Sequence, residues 1–205
     1  MTEFIFQIAI LIMSVVIHEV SHGYMANYLG DPTAKYAGRL TLNPLKHLEL
    51  FGSLILPIIS YIGGGFLIGW AKPVPYNPHN LRPNRWSETL VALAGPGSNL
   101  LLALIFGTTL RVVLMGGSAG VGLVHILGVI TFVNLLLMVF NLIPLPPLDG
   151  SKLLFALFPS STYKLRSFFD RFGFVLVLVF VFYFGQVIDP LASALFHLIT
   201  GASLG

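Results

Sequence analysis

The chain has 205 residues, 56% of them hydrophobic and 9% charged, with a formal net charge of +3 and no cysteine. Soluble domains carry roughly 25% charged residues, so a water-soluble globule is excluded, and the length admits about four to six spans of roughly 20 residues with no soluble domain besides. The absent cysteines exclude disulfides, thiolate catalysis and cysteine-held metal, and the small positive excess reads as cytosolic basic loops rather than a nucleic-acid surface.

The first apolar stretch, residues 3–29, reads as a membrane-spanning helix that stops at Gly30-Asp31-Pro32. It lacks a basic n-region and a small-residue cleavage site, which argues against a removable signal peptide. Inside it lie His18, Glu19 and His22, in the run HEVSH. An ionisable group at bilayer depth costs about 2.5–3.5 kcal/mol on insertion scales and marks function. Positions i and i+4 share one helix face a turn apart, so both imidazoles can reach a single metal ion. Glu19, one step round the helix, flanks the place of a bound water. H-E-x-x-H is the zinc-peptidase pattern, with the glutamate as general base.

A polar connector leads to a second apolar stretch at 51–71, broken by Pro57 and by Gly63-Gly64-Gly65. A proline-rich segment follows. The third stretch, 87–115, opens with Ser87 as N-cap and Glu88 in the first turn. The fourth, 121–143, comes after a short glycine-rich turn, and the fifth, 172–203, carries a break or kink at Asp189-Pro190. Lysine and arginine gather in three segments, 31–50, 72–86 and 150–171, which positive-inside counting assigns to the cytosol. Cytosolic flanks on both sides of 51–71 predict that it enters and leaves on one side, as a re-entrant hairpin or loop bent at its proline and glycines. A plain transmembrane helix is the competing reading. With re-entry, the first and fourth stretches run parallel.

The fourth stretch closes on NLIPLPPLDG, residues 141–150. Its prolines end the helix and hold an extended segment, from which Asp149 presents a carboxylate. A catalytic zinc wants three protein ligands and an open position, so Asp149 is expected to join His18 and His22. Its alternative role is an N-cap for a short helix beginning near Ser151. Gly95, Pro96, Gly97 and Ser98 suit close helix contact, and Asn99 is a candidate hydrogen-bond partner of a zinc ligand or of neighbouring backbone. His47 and His79 read as interfacial, His125 and His197 as structural, Trp70 and Trp86 as interfacial anchors, and the Phe172–Phe184 run as lipid-facing.

With HEVSH, AGPGSN (94–99) and NLIPLPPLDG (141–150) in this order, the chain resembles the site-2 proteases, M50-type intramembrane zinc metalloproteases, over about residues 8–155. The resemblance implies an all-α polytopic membrane protein with a three-helix catalytic core and a re-entrant or hairpin element between the first two core helices. It implies one membrane-embedded peptidase domain over 1–205, with the core at about 3–155 and one or two further membrane helices at about 165–203. One Zn2+ per chain would sit on His18, His22 and Asp149, with Glu19 as catalytic acid/base. Asn141 would contact the substrate backbone or the oxyanion. Substrates would be transmembrane proteins, cut within or beside their spans in the lipid bilayer of a prokaryotic cell, from a site toward the cytosol. A strand near Phe66–Pro75 could capture the unwound substrate by strand addition. Larger members carry PDZ or CBS domains; with neither motif here, regulation by them is not expected. The rival reading is a polytopic metal-ion transporter using the same cluster, disfavoured because no file of polar residues crosses stretches three to five. A silent scaffold is disfavoured by the intact motif residues.

Overall fold

A computed structural model of the chain describes residues 2–49, 55, 71–117, 120–158 and 163–202. The described residues contain no strand. In chain order the helices are α1 (Thr2–Tyr28), the single turn α2 (Thr33–Tyr36), α3 (Ser87–Met115), α4 (Val121–Asn141), α5 (Gly150–Leu157) and α6 (Tyr163–Thr200), with 3-10 turns at Pro44–Lys46 and Pro78–Asn80. Ile5–Tyr28, Ser87–Met115 and Val121–Asn141 are long and apolar enough to cross a membrane, with mean hydropathies of 1.7, 1.8 and 2.5. A fourth crossing is available to α6, whose Arg171–Tyr183 and Gln186–Thr200 parts meet at 72°. The expected break was at Asp189-Pro190; the bend falls about one turn earlier. Proline cannot donate to the carbonyl four residues back and crowds it, so the distortion appears on its N-terminal side. The protein is an all-α polytopic integral membrane protein.

The registers of the long helices follow from side chains that meet. Glu3 lies 3.0 Å from His125, Ser14 bonds Asn134, and His18 and His22 face Asp149, so α1 and α4 run parallel. His22 meets Val91 while His18 meets Asn99, so α3 runs antiparallel to α1. Ala103, Leu110, Leu127, Leu135, Ala192 and Phe196 pack between α3, α4 and α6. Small residues set the approach: a Cβ on Gly107 would lie 2.6 Å from Ile199 Cγ2. Leu101, Ile105, Val112, Phe182 and Leu198 are more than half exposed on the outside, which costs nothing against equally apolar lipid tails.

The connectors on either side of 51–71 meet at one end of this bundle. Lys72 N–H donates to His47 O at 2.9 Å, and Arg82 N–H to Leu29 O at 2.9 Å. Fully buried Asp31 accepts from Thr33 N–H (3.2 Å), the Thr33 hydroxyl (2.5 Å), Asn77 N–H (2.6 Å) and the Asn80 amide (2.9 Å). The chain thus returns to the helix end it left. The re-entrant reading of 51–71 itself, the glycine run, Trp70 and the Phe66–Trp70 part of the strand lie outside the described residues. Two smaller expectations are corrected. Ser87 does not cap α3; its hydroxyl donates to Arg82 O, and the Asn84 side chain accepts from Trp86 N–H instead. His47 is buried rather than interfacial, with Nε2 2.8 Å from Thr41 O.

Candidate metal centre

The i, i+4 spacing on α1 brings the His18 and His22 rings to 4.6 Å between centroids, with planes 88° apart. Asp149 reaches them through the turn that follows α4. Ile143, Leu145 and Leu148 close it by short main-chain bonds, and Gly150 lets it fold back. A Cβ there would lie 2.5 Å from the Leu142 carbonyl carbon and 2.7 Å from Ile143 O, backbone atoms that have nowhere to go. Behind the turn, Gly173 of α6 lies against Pro146; a Cβ on it would be 2.5 Å from Pro146 O. Asp149 makes no capping bond to α5, so the alternative N-cap role is not what its carboxylate does. Oδ2 instead lies 3.2 Å from His18 Nε2 and 3.4 Å from His22 Nε2.

Proton placement decides what this cluster is. His22 Nδ1 lies 2.7 Å from Val91 O, a carbonyl that only accepts, so Nδ1 carries a hydrogen and Nε2 is the nitrogen turned to Asp149. His18 Nδ1 lies 2.6 Å from Asn99 Oδ1, which turns its Nε2 to Asp149 in the same way. Asp149 Oδ2 is buried and receives no hydrogen bond. Two imidazole nitrogens and a carboxylate oxygen therefore face one another across a point where a cation would be held. A tetrahedral zinc with ligand bonds of about 2.0–2.1 Å sets its ligands roughly 3.3 Å apart. The observed 3.2 and 3.4 Å match that edge. The ligand atoms of His18, His22 and Asp149 all lie within 4.8 Å of one another, and two imidazoles with a carboxylate suit zinc chemically. The residues fit the ion.

The surroundings are cut to these rings. A Cβ on Gly95 of α3 would stand 2.5 Å from His22 Nε2 and Cε1 and 2.6 Å from His18 Cε1, whereas one on Gly97 would meet nothing within 4 Å. Glu19 Oε2 accepts from Val74 N–H at 2.9 Å, and Pro73 and Pro75 on either side leave that as the one main-chain donor of the tripeptide. The segment is held there by Arg39, whose guanidinium donates to Lys72 O at 2.8 Å. Gly23 makes room for it, since a Cβ there would be 2.8 Å from Val74 Cγ1. The Asn141 amide, on the last turn of α4, donates to Leu137 O at 2.9 Å.

The sequence reading named Asn99 but not Val91, Val74 or Asn134. A lone asparagine inside GVITFVNLLLMVF is itself a signal at bilayer depth, and Pro-Val-Pro marks a stiff segment with a single donor. Nothing in the sequence singles out the Val91 carbonyl.

The chain matches the sequence profile of peptidase family M50 over residues 6–116 and 109–184. It is 39% identical over 175 residues to the Bacillus subtilis protein named "Putative zinc metalloprotease YwhC", covering 82% of this chain and 76% of that one. Proteins named "Putative zinc metalloprotease Rip2" are 33% identical. The one from Mycolicibacterium smegmatis aligns over 183 residues, 86% of this chain and 66% of its own length. That from Mycobacterium tuberculosis aligns over 154 residues, 72% of this chain and 55% of its own. No solved structure matches the chain.

Proposed function

The chain belongs to peptidase family M50 and is a zinc metallopeptidase, and we propose that it cuts peptide bonds within or beside the transmembrane segments of other membrane proteins. The observation that carries this reading is the convergence of two imidazole nitrogens on one Asp149 oxygen, at 3.2 and 3.4 Å, inside an integral membrane protein. In the proposal His18, His22 and Asp149 hold one Zn2+ per chain, and the peptidase domain spans 1–205. Bound there, zinc supplies a Lewis acid that acidifies water and polarises a carbonyl.

The remaining work falls to the chain's own groups. Glu19 has Oε2 engaged by Val74 N–H, which leaves Oε1 to take the proton of the attacking water. The water oxygen bonds to the scissile carbonyl carbon, the C–N bond breaks, and Glu19 delivers the proton to the leaving amine. The Asn141 amide has two hydrogens and gives one to Leu137 O; the second is available to the substrate backbone or oxyanion. The bacterial relatives support a prokaryotic cell membrane, and the basic segments 31–50, 72–86 and 150–171 support this end facing the cytosol. A transporter would need a succession of ion sites across the bundle, and among the described residues one group of histidines and carboxylates could hold a metal.

The test is metal analysis of purified protein beside a cleavage assay on a reconstituted transmembrane substrate. Stoichiometric zinc is expected in wild type and its loss in His18→Ala and Asp149→Ala. Glu19→Gln should keep zinc and lose about 10²–10⁴-fold in rate. Retained cleavage in that variant removes Glu19 from the reaction, and zinc retained without Asp149 removes the ligand set.

A further inference from the structure

Behind His18 lies a run of buried amides that no step of the reaction uses. Asn99 on α3 and Asn134 on α4 are fully buried, with Ser14 of α1 beside them. The Asn99 amide nitrogen lies 2.8 Å from Asn134 Oδ1, and the Asn134 amide nitrogen lies 2.8 Å from Ile130 O and 3.0 Å from Ser14 Oγ. Such groups cost several kcal/mol at bilayer depth when unpaired. Here each is matched.

The direction of these bonds is fixed from one end. Ile130 O is a main-chain carbonyl and can only accept, so the Asn134 atom facing it must be the NH2 group. Oδ1 of Asn134 then faces Asn99 and, being an acceptor, requires the Asn99 NH2. That turns Asn99 Oδ1 toward His18 Nδ1 at 2.6 Å, where again only an acceptor stands. Nδ1 must carry a proton, and in the neutral ring that leaves the lone pair on Nε2, which faces Asp149. A helix carbonyl that cannot turn over thus dictates, through two side chains, the tautomer of a histidine on another helix.

From this geometry we propose that Asn134 is a positioning residue for His18: acting through Asn99, it holds the imidazole as the Nδ1–H tautomer, leaving Nε2 free to bind a metal. The proposal rests on His18 being a zinc ligand. Without Asn134, the Asn99 NH2 loses its 2.8 Å acceptor and keeps only a 3.5 Å contact with Ser14 O, too long to hold the amide in place. Rotated by 180°, it would offer NH2 to Nδ1 and favour a hydrogen on Nε2, where the ligand lone pair is needed. His22 does not share this vulnerability, because Val91 O sets its tautomer directly.

Zinc affinity of the full chain in nanodiscs, by competition with a chromophoric chelator, tests the relay in a double-mutant cycle. Asn99→Leu and Asn134→Leu should each weaken zinc binding about 10–100-fold, the usual penalty for lost partners of ligating histidines. The double variant should bind no more weakly than Asn99→Leu alone, since one residue acts through the other. Penalties that multiply, or an unchanged affinity in Asn134→Leu, would overturn the proposal and leave the amides as helix-packing contacts. Should the variants fail to fold, the wild type still decides. Ring 15N spectra of the metal-free protein should show His18 protonated at Nδ1, and a predominant Nε2–H form sinks the relay. Absence of zinc from the wild type is a different failure, of the ligand reading, and leaves the tautomer measurement standing.

Discussion

Gly95 and Gly97 lie two residues apart on α3, yet an added methyl group should act oppositely at the two. At Gly95 the new Cβ would stand 2.5 Å from His22 Nε2 and Cε1 and 2.6 Å from His18 Cε1. Ordinary contacts between such atoms are about 3.5–4.0 Å, so roughly 1 Å must be recovered from two rings at once. Neither ring is free to retreat, because Asn99 Oδ1 and Val91 O hold their Nδ1 atoms at 2.6 and 2.7 Å. Overpacking of this kind costs about 1–3 kcal/mol, and a 1 Å misplacement at a reacting centre costs about 10²-fold in rate. Gly95→Ala is therefore expected to weaken zinc binding at least tenfold and to remove nearly all cleavage. Gly97→Ala meets nothing within 4 Å and relieves helix entropy, so it should raise stability by about 0.5–1 kcal/mol. Chelator competition and thermal unfolding of the two variants side by side make the comparison. Wild-type zinc affinity in Gly95→Ala would refute the claim that bare backbone at this position seats the imidazoles.

Three further outcomes are expected. Gly150→Ala should lose zinc because its methyl group meets the Leu142 and Ile143 carbonyls rather than a yielding side chain; stoichiometric metal in that variant would mean the turn can open without moving Asp149. Asn141→Leu should keep zinc and lower kcat, and an unchanged kcat would leave that amide to its bond with Leu137 O. At Asp31, burial alone would raise the carboxyl pKa, but the bonds from Thr33, Asn80 and Asn77 outweigh it and bring it below the ordinary value. A lowered folded pKa means the stabilisation is complete above the unfolded value, near 3.9, and fades as pH falls through the folded one. Asp31→Asn should cost about 1–3 kcal/mol at pH 7, with the gap to wild type closing below about pH 4. A gap that stays constant down to pH 2 in thermal unfolding would show that the charge is irrelevant.

Much of this molecule was determined by local order along the chain. Composition and apolar run length fix the class, because a polypeptide this poor in charge has no stable soluble form and its backbone must close its own hydrogen bonds in lipid. The helical repeat alone puts His18 and His22 on one face, and Pro144, Pro146 and Pro147 ahead of Asp149 announce a stiff turn. An interfacial place for His47 does not survive, because the fold buries it.

Tertiary structure alone decided which oxygen faces each Nδ1, which N–H meets Glu19, and which glycine lies under the rings. Those partners sit 55 to 81 residues away along the chain, on other helices or on a connector, and no periodicity relates them. Hydrogen bonds are short and directional. A ligand's tautomer is settled by whichever acceptor lies within 3 Å once the helices have docked, and helix docking is a property of three surfaces together, not of any one segment read alone.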